Sequence, residues 1–175
     1  MTVLENQFKQ LPGMNIEVYT NDKDARYLRQ AIHLAQQEAE LGGFPFGCVI
    51  VAKDGEVLVS TTNNIRETGD CTGHAEVLAV REASKKFSPK TLSEATLYTS
   101  AEPCVMCSGA IYWSQIRRLV YGIDAASLRY LHGEVINKTD ILISPEKVFS
   151  ASPVKAAVIG PMLLKEAIQP HLKRN

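Results

Sequence analysis

A chain of 175 residues with 19 basic and 19 acidic side chains carries no formal net charge. Hydrophobic residues make up 45% and charged residues 22%, which excludes a disordered or low-complexity chain and allows a sizeable buried core. The basic excess that neutralises nucleic-acid phosphates is missing, and Lys173-Arg174 is too short a tail to supply it, so the balance favours a small neutral substrate.

No apolar run approaches the roughly 18 residues needed to span a bilayer. The opening Met1-Thr2-Val3-Leu4-Glu5-Asn6 lacks the basic-then-apolar pattern of a signal peptide. Cys48, Cys71, Cys104 and Cys107 in such a chain point to thiolate chemistry in a reducing compartment, and a cytoplasmic location is expected.

Residues 1–21 show little periodicity and read as an N-terminal arm. Asn21 or Asp22 can cap a helix whose apolar stripe, Leu28, Ala31, Ile32, Ala35 and Ala39, runs to about Glu40, where Gly42-Gly43 stops it. Strands over 47–51 and 56–60 flank Asp54-Gly55, a strong hairpin signal. A loop over 61–73 leads into a helix from His74 to about Lys86 with Ala75, Leu78, Ala79 and Ala83 inward. A strand over 95–99 then feeds a helix opened by Pro103, which suits a first helical turn because its missing N–H was unpaired there anyway.

A strand over 118–121 comes next, then an irregular stretch over 127–150 with a short helix near 128–131. A last strand over 154–159 and a closing helix over 162–172 complete the order. A hairpin succeeded by alternating helices and strands predicts an α/β fold of three layers, a five-stranded mixed sheet with helices on both faces. No internal repeat or linker divides the chain, so one domain is expected over 1–175, with the arm at 1–21 and a variable segment at 127–175.

The chemistry concentrates in two runs, Thr72-Gly73-His74-Ala75-Glu76 and Glu102-Pro103-Cys104-Val105-Met106-Cys107. Cysteines three apart share a helical face and can grip one ion. Near a helix N-terminus the dipole and free N–H groups favour their thiolates. An imidazole, His74, completes a three-ligand zinc site with the fourth tetrahedral position open to water. Glu76, two residues on, is placed to move that water's protons to a ring nitrogen and then to a departing amine. H-x-E succeeded by P-C-x-x-C is the signature of zinc deaminases. A closed structural site would need a fourth ligand from Cys48, Cys71, His33, His132 or His171; Cys71 is the nearest, and such a site would leave Glu76 without a role.

Phe46 before a strand is ordinarily core, and Asn63 in a loop is ordinarily a turn residue, yet both are candidates for substrate contact. Trp113 is also a candidate contact, although the Tyr112-Trp113 pair suits packing or an interface better. Asp124 and Glu134 are read as surface charges.

Taken together, Gly43-Phe44-Pro45-Phe46-Gly47, Asn63-Asn64, His74-Ala75-Glu76-Val77 and the run from Tyr98 to Cys107 resemble the cytidine deaminase superfamily over about 25–124. Within it, Ala110-Ile111-Tyr112-Trp113 looks like the branch of guanine deaminases and related base or nucleoside deaminases. The resemblance implies one zinc per chain on His74, Cys104 and Cys107, with Glu76 as proton shuttle. It also implies a ring contact from Asn63 and a service of the Ala75 N–H to a ring carbonyl. The chain departs from the family at Asp70-Cys71-Thr72-Gly73, where Asp-Pro-Thr-Ala is usual, and Glu134 is only the nearest stand-in for an acidic C-terminal segment.

The expected function is hydrolytic deamination of a purine-like base, guanine first. The alternatives are a tRNA adenosine deaminase, a nucleoside or cytosine deaminase, and a non-catalytic zinc-stabilised subunit, the last disfavoured by Glu76. Ile111, Tyr112 and Trp113 after the metal helix suggest a homodimer.

Overall fold

The computed structural model describes residues 22–133 and 141–172; the expected arm, Glu134 and the basic tail lie outside the described residues. Five strands form one mixed sheet in the order β2-β1-β3-β4-β5. β1 (Gly47–Val51) pairs antiparallel with β2 (Val57–Thr62) through the hairpin and with β3 (Thr96–Ala101) on its other side. β4 (Arg118–Ile123) and β5 (Ala157–Ile159) then add in parallel.

The two-residue period of the strands divides the core. Cys48, Ile50, Leu97 and Leu119 face one layer, built from α3 (Ala75–Lys86), α4 (Pro89–Glu94), α5 (Val105–Trp113) and α7 (Pro145–Ser150). Val49, Val51, Tyr98 and Val120 face the other, where α1 (Asp22–Glu40) lays down Tyr27, Leu28, Ala31 and Ile32. Both faces are therefore buried, as the near-continuous apolar runs of β1 and β4 require.

Several boundaries differ from expectation. Ser88 caps α4 by accepting a hydrogen bond from the Thr91 N–H, and a single turn, α2 (Ile65–Thr68), interrupts the loop after β2. Asp124 is no idle surface charge: its carboxylate accepts from the Ser127 N–H at 2.7 Å and starts α6 (Ala125–Leu131), while Ser144 caps α7. The last strand is shorter than 154–159. The closing helix starts only after Leu163, which has a left-handed φ of 52°, and it breaks into α8 (Leu164–Ala167) and α9 (Gln169–Leu172) at Pro170, which has no N–H to give an extended ladder.

One buried ion pair ties α1 to the sheet. Asp24, 3% exposed, accepts from Arg118 Nη1 and Nη2 at 2.8 and 2.7 Å and from the Tyr98 hydroxyl at 2.8 Å. Burial pushes the Asp24 carboxyl up, but the bonds from Arg118 and Tyr98 outweigh it and hold it below the usual carboxylate range. Its stabilising contribution is thus complete above the unfolded value of about 4 and is lost as pH falls through the lower folded value. Asp24→Ala strands the guanidinium and the phenol, and should cost about 3–5 kcal/mol in urea denaturation at neutral pH. The variant's stability should also fall less on acidification than that of the parent.

Candidate active site

The site sits where α3 and α5 begin, beside the C-terminal end of β3. His74 is the N-cap of α3 and Cys104 the N-cap of α5, both with extended backbone, so each ligand hangs off a helix start. The expected helix at Pro103 therefore begins two residues later. The Cys104 carbonyl already accepts from the Ser108 N–H at 2.8 Å, so Cys104 is held by the helix without being inside it. Cys107, buried, lies in the first turn, and α3 packs directly on α5.

Three ligand atoms converge. His74 Nδ1 lies 3.8 Å from Cys104 Sγ and 3.4 Å from Cys107 Sγ, and the two sulfurs are 3.6 Å apart. Tetrahedral zinc with ordinary bond lengths places two sulfurs about 3.8 Å apart and a sulfur and nitrogen about 3.6 Å apart. The residues present thus fit the metal before any adjustment, and one nitrogen with two thiolates is a donor set that suits zinc over hard cations.

Charge fits as well. The hydrogen bond from Cys107 draws the Cys104 thiol down to about 4, with His74 reinforcing it, while the Cys104 thiolate and burial push Cys107 far up. A cation between the sulfurs would favour both as thiolates. This is the one such cluster among the described residues, and Cys71, exposed, does not join it.

Glu76 stands beside the triangle and outside it. Its side chain is buried, Oε1 accepts from the Thr99 hydroxyl at 2.7 Å, and Oε2 lies 3.4 Å from Cys107 Sγ. Burial raises its pKa against the opposing Thr99 bond, which makes the carboxylate a better proton acceptor than a surface glutamate. Thr99 was not foreseen. Its signal was the alternation of β3, which puts Thr99 on the Leu97 face, beneath α3.

A cleft of about 700 Å³ opens over these atoms, with Asn63, His74, Glu76 and Cys104 among its lining residues. Phe46 lines it, as expected. Asn63 is buried; its Oδ1 accepts from the Ile65 N–H at 3.0 Å, and its N–H donates to the Phe46 carbonyl at 3.1 Å. The carboxamide nitrogen is left without a hydrogen bond among the described residues. Ala75 is fully buried and does not line the cleft; as the first residue of α3 its N–H has no acceptor within the helix, and its carbonyl accepts from the Thr61 hydroxyl.

Trp113 is not brought to the cleft: it ends α5, is 79% exposed, and meets the edge of Tyr112. The outer wall comes instead from α6, through Leu128, Arg129 and His132, and from Ile141, Leu142 and Ile143. The stretch that supplies it has no motif, which is why sequence reasoning passed over it.

Residues 21–123 match the family described as the cytidine and deoxycytidylate deaminase zinc-binding region. A probable cytosine deaminase of Schizosaccharomyces pombe is 40% identical over 151 residues, covering 86% of this chain and 91% of its own length. A tRNA-specific adenosine deaminase of Aquifex aeolicus is 36% identical, covering 68% of this chain and 76% of its own. Among solved structures, a guanine deaminase from Nitrosomonas europaea superposes with a TM-score of 0.68 at 25% identity, over 84% of this chain and 81% of that one. The family match begins at α1, ends with β4 and takes in the whole ligand triangle, so this chain belongs to the cytidine and deoxycytidylate deaminases, zinc hydrolases of the nucleobase amine.

Proposed function

We propose that the chain deaminates a free purine-like base, guanine first, releasing ammonia. The observation that carries this reading is the Asn63 carboxamide. Its oxygen is spent on Ile65, so the group left over at the cleft is an N–H donor, suited to a ring acceptor. The Ala75 N–H has no acceptor within α3, but Ala75 does not line the cleft, so the reading rests on Asn63. Phe46, Pro103 and Leu128 give the flat apolar walls that a ring needs and that keep bulk water out.

His74, Cys104 and Cys107 would hold the zinc, which when bound would supply Lewis acidity and bring the pKa of water toward neutrality. Glu76 is placed to take one proton from the attacking water and pass it to the ring nitrogen beside the amine-bearing carbon, then to take the remaining proton of the hydroxyl so added and give it to the amine, which leaves as ammonia. Thr99 keeps the Glu76 carboxylate aimed during both transfers.

Ammonia release from guanine, cytosine, their nucleosides and an anticodon stem-loop tests the substrate. Guanine should be fastest, with little salt dependence. Cytosine is the second reading, favoured by the Schizosaccharomyces pombe relative that spans most of this chain. Efficient turnover of the stem-loop with every free base inert would replace both by the tRNA reading; the absence of net positive charge argues against it. Asn63→Ala should lower kcat/KM for the true substrate by about 1–3 kcal/mol, the cost of a lost buried hydrogen bond.

We place a homodimer contact at the end of α5, where Trp113 exposes apolar surface. Light scattering at working concentration should give twice the chain mass; a monomer contradicts it. A cytoplasmic setting is part of this reading. It is supported by four free cysteines, two of which the metal needs as thiolates. Among the described residues no helix is long and apolar enough to cross a membrane.

A further inference from the structure

The closing segment reaches back to the cleft through a buried residue that the chemistry above does not use. His171, in α9, is 3% exposed, stands outside the metal cluster and is not among the residues that line the cleft. Its ring meets two side chains that do line it. The Phe46 and His171 rings stand edge to face, with centroids 5.4 Å apart and planes at 62°. The His132 ring meets His171 in the same way, at 5.9 Å and 74°.

These two neighbours belong to different parts of the cleft. Phe46 precedes β1 and is part of the inner lining. Its carbonyl accepts from the Asn63 N–H at 3.1 Å, so a shift of Phe46 is passed to the proposed ring donor. His132 closes α6, the outer wall, and its N–H donates to the Leu128 and Arg129 carbonyls at 3.2 and 3.1 Å. His171 is itself held by its N–H to the Ile168 carbonyl at 2.9 Å and by the packing of α9 on α1. A flat ring fixes the angle of the rings set against it, which a branched aliphatic chain of similar volume does not. In a close-packed interior the neighbours take up the volume of a deleted side chain, and here those neighbours include both parts of the cleft.

We propose that His171 is a positioning residue for the deamination. Its ring holds Phe46 and His132 in place and so sets the spacing between the inner lining and the outer wall. It acts through these two side chains and touches neither the base nor the metal ligands. The inference rests on the reading of the cleft as the site of a free base.

His171→Ala, His171→Phe, Phe46→Ala and Leu28→Ala are compared in the full zinc-loaded chain. The readouts are KM and kcat for guanine and for cytosine, zinc content and melting temperature. For the base that the parent turns over, His171→Ala should raise KM about fivefold or more, with kcat within about twofold and zinc at about one per chain. His171→Phe keeps a flat ring and should return KM to within about twofold of the parent. Leu28 is fully buried in the same core layer as α9 and does not line the cleft, so Leu28→Ala should melt lower and keep the parental KM. A lower melting temperature with unchanged KM in His171→Ala makes the ring a structural filler and overturns the proposal. A phenylalanine variant as impaired as the alanine one assigns the effect to the ring nitrogens and overturns it too. If Phe46→Ala raises KM and His171→Ala does not, the base still meets that wall and the positioning role alone falls. If Phe46→Ala leaves KM unchanged, or the parent is inert on both bases, the free-base reading of the cleft fails and takes the proposal with it.

Discussion

Glu76→Gln should keep its zinc and lose turnover by roughly two to four orders of magnitude. The glutamine amide fits the same buried slot and can still accept from Thr99, which in the parent donates at 2.7 Å to Oε1. What disappears is the only lone pair in that slot basic enough to receive a proton. The loss should fall on kcat, because Asn63, proposed to meet the ring, and the walls of the cleft are untouched. Zinc content by atomic absorption, read beside ammonia release, separates the two effects. A variant with full zinc and near-parental turnover would show that the proton travels by another route.

Cys104→Ala should remove metal and activity together. It deletes one corner of the triangle, and an imidazole and one thiolate give the ion too few ligands to compete with solvent. Activity should fall by more than about two orders of magnitude, while the far-ultraviolet circular dichroism stays parental, since Cys104 is exposed and belongs to neither core cluster. Chelation of the parent should reproduce the loss, with recovery on adding zinc and none on adding magnesium, whose preference is for oxygen ligands. Full activity at zero zinc would end the mechanism.

The ligands were legible because their spacing is itself chemistry: a thiolate pair three residues apart has few other uses, and an H-x-E beside it fewer. The sheet was legible from periodicity, with Leu28, Ala31, Ile32 and Ala35 marking α1 and Asp54-Gly55 the hairpin. Less visible were features that depend on what touches what. Ser88 and Ser144 cap short helices whose few apolar residues leave no stripe to read. Thr99 looks like any strand threonine until the sheet sets it under Glu76. Trp113 was weighed as a ring contact on its chemistry alone, and the rotation of α5 turns it outward. The cleft's outer wall draws on α6 and on 141–144 together, which no local pattern encodes.

The family match stops at residue 123, the last residue of β4, and the helix forming the cleft's outer wall begins at Ala125. The match thus takes in the metal-ligand residues and the inner lining of the cleft, Phe46, Asn63 and Pro103, and leaves its outer wall outside. Residues up to β4 supply the three metal-ligand residues, Glu76 and Asn63, and residues beyond β4 line the outer side of the cleft. Relatives named for cytosine, guanine and a tRNA adenosine can then share one core. A graft that joins residues 124–172 of this chain to another deaminase's core should accordingly carry this chain's preference with it.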